Sequence, residues 1–168
     1  MMSAMALSTG RLVAALDLVQ QSMAARPGFA IAHNTLGVVL KGLDRPEEAI
    51  AAFRGALELR PDFAGGYQSL GTMLHYVGQI DDANGYYEHA LRLGEDARAY
   101  SNLAFGYYSV RRFADALRHY EQAVRLDPAP PVVHQNIGDT YLRLGDVERA
   151  RRAFAEAVVR AQAMLQVN

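Results

Sequence analysis

The 168-residue chain has no cysteine and no tryptophan, and Lys41 is its only lysine. Without a thiol, disulfides, thiolate nucleophiles and cysteine-based metal sites are excluded. The formal net charge is only -1, so no global field draws the chain to nucleic acid or to an anionic membrane. The small imbalance is split: residues 1–96 carry 7 basic and 11 acidic groups, and residues 97–168 carry 10 and 7. No apolar run reaches the roughly 18 residues a membrane span requires. Met1 to Gly10 lack a basic segment and a cleavage pattern, so they do not read as a signal peptide. The cytoplasm is the expected compartment, with the periplasm equally tolerant of a cysteine-free chain. There is no G-x-S-x-G and no phosphate-binding loop, so no enzyme and no cofactor is expected.

What is present is a period. Ala49, Ala83, Ala116 and Ala150 lie 34, 33 and 34 residues apart. Four residues on stand Phe53, Tyr87, Tyr120 and Phe154, followed by Ala56, Ala90, Ala123 and Ala157. Upstream, Leu36, Leu70, Leu103 and Ile137 are in phase, then Gly37, Gly71, Ala104 and Gly138, then Leu40, Leu74, Tyr107 and Tyr141. Such internal self-similarity is the mark of a repeat architecture. The first half of each copy has i, i+3, i+4, i+7 spacing, as in His33, Leu36, Gly37 and Leu40, which is one face of a helix. The second half, Ala-x-x-x-aromatic-x-x-Ala, is also helical. Small residues stand where two helix backbones must approach closely. Asp44, Gly78 and Gly145 mark a turn between halves, and Pro27, Pro61 and Pro128 separate copies. Glu121–Arg125 and Glu148–Arg152 are spaced to pair along the second helices.

On these residues the chain resembles the tetratricopeptide repeat (TPR) family. Leu36, Gly37, Ala49, Phe53, Ala56 and Pro61 supply nearly all of the 34-residue pattern. The resemblance implies an all-α, right-handed superhelical solenoid of helix-turn-helix repeats. The copies are 30–63, 64–96, 97–130 and 131–164, with a tail at 165–168. The second is one residue short and has Gly94-Glu95 where the proline belongs. The first pattern position, often tryptophan in the family, holds His33, Tyr67, Tyr100 and His134. Ala15, Val19 and Pro27 also fall in phase, so 1–29 reads as a truncated repeat, with Arg11 to Arg26 as its second helix.

The other chemical possibilities are weaker than packing. His33 and His134 share a column and read as stacking residues, and His75, His89 and His119 form no ligand spacing, so no metal site is expected. Glu47-Glu48 and Asp81-Asp82 open second helices, where carboxylates suit the helix N-terminus better than they suggest acid–base chemistry. Tyr87 and Tyr107 are column residues.

In the family the first helix of each repeat lines a concave groove. The resemblance therefore implies a peptide-binding face at Asn34, Lys41, Gln68, Thr72, His75, Tyr76, Arg98, Asn102, Phe105, Tyr108, Gln135, Asn136, Asp139 and Arg143. Amides there can donate and accept at once, matching an extended peptide backbone. Asn102 and Asn136 match the asparagine ladder of peptide-binding members; Thr35 and Ser69 replace asparagine in the other copies. The carboxylate clamp of chaperone-binding members is absent, since Asn34 stands at its first lysine position and Asn102 at a needed arginine. The expected partner is thus a protein or peptide, with neither nucleic acid nor membrane insertion. Two alternatives are open. Apolar ends, at Met1, Met2, Met5 and Leu7 and at Val158, Val159, Met164 and Leu165, would let the chain assemble with itself through its terminal helices. The pattern also resembles C-terminal repeat arrays of bacterial multidomain signalling proteins, so the chain could be a regulatory segment of a larger protein.

Overall fold

The computed structural model describes residues 2–127 and 130–166, with side chains from 10 to 127 and from 130 to 165. Met1, Pro128 and the last two tail residues lie outside the described residues, and the side chains of Met2, Met5 and Leu7 outside the described side chains. The described residues form nine α-helices: α1 (Met2–Ala25), α2 (Ala30–Gly42), α3 (Pro46–Leu59), α4 (Ala64–Tyr76), α5 (Ile80–Leu93), α6 (Ala97–Ser109), α7 (Phe113–Leu126), α8 (Pro131–Arg143) and α9 (Val147–Gln166). They divide into two compact units, through Leu93 and from Gly94. The division falls at the copy boundary that lacks a proline.

In the first unit α2 pairs with α3 and α4 with α5; α3 also meets α4, α2 touches α4, and α1 rests on α2. In the second unit α6 pairs with α7 and α8 with α9, while α7 meets α8 and α6 touches α8. Each hairpin is set by the columns. Ala49, Ala83, Ala116 and Ala150 are all buried, as are Ala56, Ala90, Ala123 and Ala157. These alanines let the paired helices close on the aromatic column, in which Phe53, Tyr87 and Tyr120 are at most 2% exposed. A Cβ built on Gly37 would fall 2.5 Å from the Phe53 ring, and one on Gly138 would fall 2.5 Å from Phe154. The ring thus occupies the place of the missing side chain.

The turns between paired helices require a left-handed residue. Gly78 (φ 83°) and Gly145 (φ 81°) supply it at no steric cost, and Asp44 (φ 56°) tolerates it. The fourth such position is Arg111 (φ 62°), which the sequence pattern gave no reason to single out. Second helices begin with carboxylates in the first turn, as expected: Glu47 and Glu48 in α3, Asp81 and Asp82 in α5. The α6 start is capped by Asp96, whose carboxylate accepts from the backbone N–H of Arg98 (2.9 Å) and Ala99 (3.0 Å).

Three expectations change. Residues 2–25 form one unbroken helix rather than a cut-short helix followed by a second one from Arg11. Gly10 falls 34 residues before Asp44, yet it stays helical. Glu148 meets Arg151 at 3.8 Å instead of Arg152, and Arg125 donates to Gln122 instead of pairing with Glu121. Neighbours three apart on a helix are as close as neighbours four apart, so the exposed side chains choose between them at little cost. Tyr107, assigned to the core, is only half-buried: it stacks on His119 (5.3 Å between ring centroids) and carries the Arg112 guanidinium 4.5 Å from its own centroid.

Candidate functional site

In the second unit, helices α6 and α8 lie side by side. Of the residues expected to meet a ligand, Phe105, Tyr108, Asn136, Asp139 and Arg143 come together there. Arg143 Nε donates to the Tyr108 hydroxyl oxygen at 3.2 Å, tying the two helices. Tyr108 lies parallel to Phe105 (6.4 Å, 7°) and edge-on to Phe113 (5.4 Å, 64°). These rings divide the surface into two depressions. One of about 280 Å³ is lined by Phe105, Tyr108, Ser109, Arg111, Phe113 and Arg143. A smaller one of about 80 Å³ lies among Phe105, Tyr108, Tyr120, Asn136 and Asp139. Phe105 is an aromatic ring left 44% exposed between them. A large apolar side chain left in water beside polar groups is the usual mark of a contact surface.

The floor of the smaller depression is Tyr120, from α7. Its ring is fully buried, and no group among the described residues completes a hydrogen bond to its hydroxyl. Burial drives its pKa far above the ordinary tyrosine range, with a nearby Asn136 amide opposing only in part. The group is therefore a protonated donor. Its counterpart in the first unit is different. Tyr87 donates to Thr72 Oγ1 at 3.4 Å, and Thr72 in turn donates to the Gln68 carbonyl at 2.9 Å. Thr72 and Tyr87 precede Phe105 and Tyr120 by 33 residues each. Phenylalanine thus stands where the first unit has the acceptor, and the Tyr120 hydroxyl loses its partner. Sequence reading placed Tyr120 in the core and missed this; comparing the two columns copy by copy was the available signal.

The remaining expected residues are placed as follows. In the second unit Arg98 and Gln135 are exposed and Asn102 is half-buried; Arg98 lies 3.8 Å from Asp96. In the first unit Lys41 is exposed and Gln68 half-buried. Half-buried Asn34 keeps a buried Oδ1 to which nothing described donates. The Tyr76 hydroxyl donates to Asp44 at 3.1 Å while its ring stays 61% exposed. Thr72 turns its hydroxyl to Tyr87 and its own helix rather than outward. His75 is half-buried, and desolvation lowers its pKa. Among the other histidines, His89 stacks on Tyr67 (4.0 Å), His119 on Tyr107, and His134 is buried. Among the described residues no three metal-ligating side chains gather. No described helix is long and apolar enough to cross a membrane.

Helix hairpins whose first helices present amides, aromatics and charges define a helical-repeat scaffold, a class that offers surfaces to other molecules. Comparison with known proteins agrees. A tetratricopeptide repeat family model matches residues 30–63, the first full copy, and another matches residues 107–166. Two thioredoxins of Arabidopsis thaliana are each 39% identical over 67 residues: the inactive TPR repeat-containing TTL3 and the TPR repeat-containing TTL4. The match covers 39% of this chain and 10% of either relative, so the chain corresponds to a small part of those proteins. Among solved structures, MamA 41-end from Desulfovibrio magneticus RS-1 superposes with a TM-score of 0.81 at 23% identity, over 96% of this chain and 92% of that one. The pilF protein of Pseudomonas aeruginosa gives 0.81 at 22%, over 90% and 71%. At these identities the likeness establishes the fold alone, an all-α helical-repeat solenoid. The chain belongs to the tetratricopeptide repeat family.

Proposed function

We propose that the chain is a non-enzymatic protein-interaction scaffold that holds an extended peptide segment, or a segment of a larger protein, against its first helices. Repeat proteins of this family are in general protein-binding scaffolds, which favours a protein partner. The reading takes 30–63, 64–96, 97–130 and 131–164 as the four full repeats. The α6–α8 face of the second unit is the principal site. The observation that carries this is the cluster of Phe105, Tyr108, Asn136, Asp139 and Arg143: an exposed ring, two depressions, and donors and acceptors on both adjoining helices. Asn102 and Asn136 contribute side-chain amides that can pair with a peptide backbone. The first unit offers Asn34, Lys41, Gln68 and Tyr76 in the equivalent places. Peptides selected from a displayed random library against the full chain provide the probe. The double variant Asn102→Ala, Asn136→Ala weakens their capture while the melting temperature stays within a few degrees of the parent. Unchanged capture removes the reading.

A second reading rests on α9. Val158, Val159, Met164 and Leu165 are between 56% and 79% exposed on this helix. Self-association through them predicts a size that grows with concentration in light scattering and is abolished by Met164→Glu with Leu165→Glu. A monomer at every concentration removes it.

A further inference from the structure

The smaller depression of the second unit has a definite chemical polarity. At its floor is one hydroxyl donor, Tyr120, completely removed from solvent and lacking an acceptor. On its wall is one carboxylate, Asp139, exposed at the surface and forming no ion pair with a described residue at the site. Phe105 and Tyr108 close the sides with aromatic carbon, and Asn136 completes the lining. A buried, unsatisfied donor is costly, and a group that satisfies it recovers that cost on binding. The volume of about 80 Å³ admits a few heavy atoms and no more.

We propose that this depression takes the side-chain carboxamide of a glutamine or asparagine in the bound segment. Its carbonyl oxygen accepts from the Tyr120 hydroxyl, and its NH₂ donates to the Asp139 carboxylate, between the faces of Phe105 and Tyr108. The inference rests on the α6–α8 face being the peptide site and names what it selects. The competing side chains fit less well for stated reasons. A glutamate or aspartate carboxylate accepts from Tyr120 but meets a like charge at Asp139 in a confined space, which disfavours it. A lysine ammonium satisfies Asp139 but has no lone pair for Tyr120. A leucine fills the space and leaves both polar groups unpaired, an arrangement binding sites discriminate against strongly. A serine hydroxyl can accept and donate, but it is too short to span floor and wall.

The test uses the full chain immobilised against a displayed library of random dodecapeptides, read by sequencing the bound pool. Three forms are compared: the parent, Tyr120→Phe and Asp139→Asn. Tyr120→Phe keeps the buried ring and so the fold; Asp139 is exposed. The parent pool shows one position enriched at least fivefold in glutamine or asparagine, with glutamate depleted there. Tyr120→Phe loses that enrichment, and Asp139→Asn admits glutamate at the same position within about twofold of glutamine. Peptides that bind the parent with no carboxamide position, or whose carboxamide preference survives Tyr120→Phe, overturn this inference while leaving the peptide site standing. A library that yields no binder dependent on Asn102 and Asn136 overturns both.

Discussion

Gly71 and Gly85 belong to one helix pair, α4 and α5, and differ in what surrounds them. A Cβ on Gly85 meets nothing within 4 Å, whereas one on Gly71 lies 2.7 Å from Tyr87 Cε1, 2.9 Å from Cδ1 and 3.1 Å from the Ala83 carbonyl oxygen. Replacing a glycine in a helix interior with alanine is favourable by about 1 kcal/mol through backbone entropy and solvation. Gly85→Ala keeps that gain. At Gly71 the added carbon must push a ring that is only 2% exposed and a backbone oxygen that cannot rotate away. Overpacking of this kind costs about 1–3 kcal/mol, leaving a net loss of about 1 kcal/mol. The substitution is not forbidden, since Ala104 holds the same column in α6; its cost is specific to how Tyr87 is seated. The two variants therefore differ by about 2 kcal/mol, or about 10 °C in melting temperature for a unit of this size. Native-state hydrogen exchange of the α4 and α5 amides isolates the effect to the unit concerned. Gly71→Ala at least as protected as Gly85→Ala would refute the packing argument.

Other consequences are equally direct. Arg111→Gly relieves a left-handed non-glycine residue and raises the stability of the second unit by about 1 kcal/mol or less, as the unfolded-state entropy of glycine offsets part of the gain; denaturant unfolding checks it. Asp96→Ala removes the α6 cap and costs about 1 kcal/mol, seen as faster exchange of the Arg98 and Ala99 amides. Tyr87→Phe loses a long hydrogen bond and destabilises by about 0.5 kcal/mol, whereas Tyr120→Phe discards an unsatisfied hydroxyl and leaves stability equal or higher; a loss at Tyr120 as large as at Tyr87 would contradict the assignment of its hydroxyl. His75 has its pKa lowered by burial, so the folded state favours the neutral ring. Its contribution is fully present above the unfolded value near 6.5 and falls away as pH drops below it, so His75→Gln flattens the stability profile of the first unit on the acid side of that value.

Much of the fold was legible because repeat packing repeats its residues. The alanine columns, the Gly37 and Gly138 positions and the aromatic column each follow from one geometric need, that two helices close on a ring. Four copies of the same need make it visible. Arg111 was not legible, because its φ is imposed by the turn while its side chain has no turn preference. The unbroken α1 was not legible either: Gly10 sits in the turn phase, but glycine permits a turn without requiring one. Exposed ion pairs slipped between i+3 and i+4 because the two spacings are nearly equal in energy. The candidate site was legible as a set of positions, and the set divided on folding. Phe105, Tyr108, Asn136, Asp139 and Arg143 converge on two depressions, while Thr72 spends its hydroxyl on Tyr87. The feature that gives the site its polarity, the Tyr120 hydroxyl, depends on Phe105 standing where Thr72 stands one copy earlier. No single motif contains that pair.

The central claim is that the α6–α8 face takes a peptide. The most direct measurement is a two-dimensional ¹⁵N NMR titration of the full chain with a library-selected peptide, following the side-chain NH₂ signals of Asn102 and Asn136 and the α6 and α8 amides. The account predicts that these signals move together and saturate with the bound fraction. Shifts confined to the opposite surface, around Val124, Arg149 and Arg152, or to the exposed residues of α9, would contradict it.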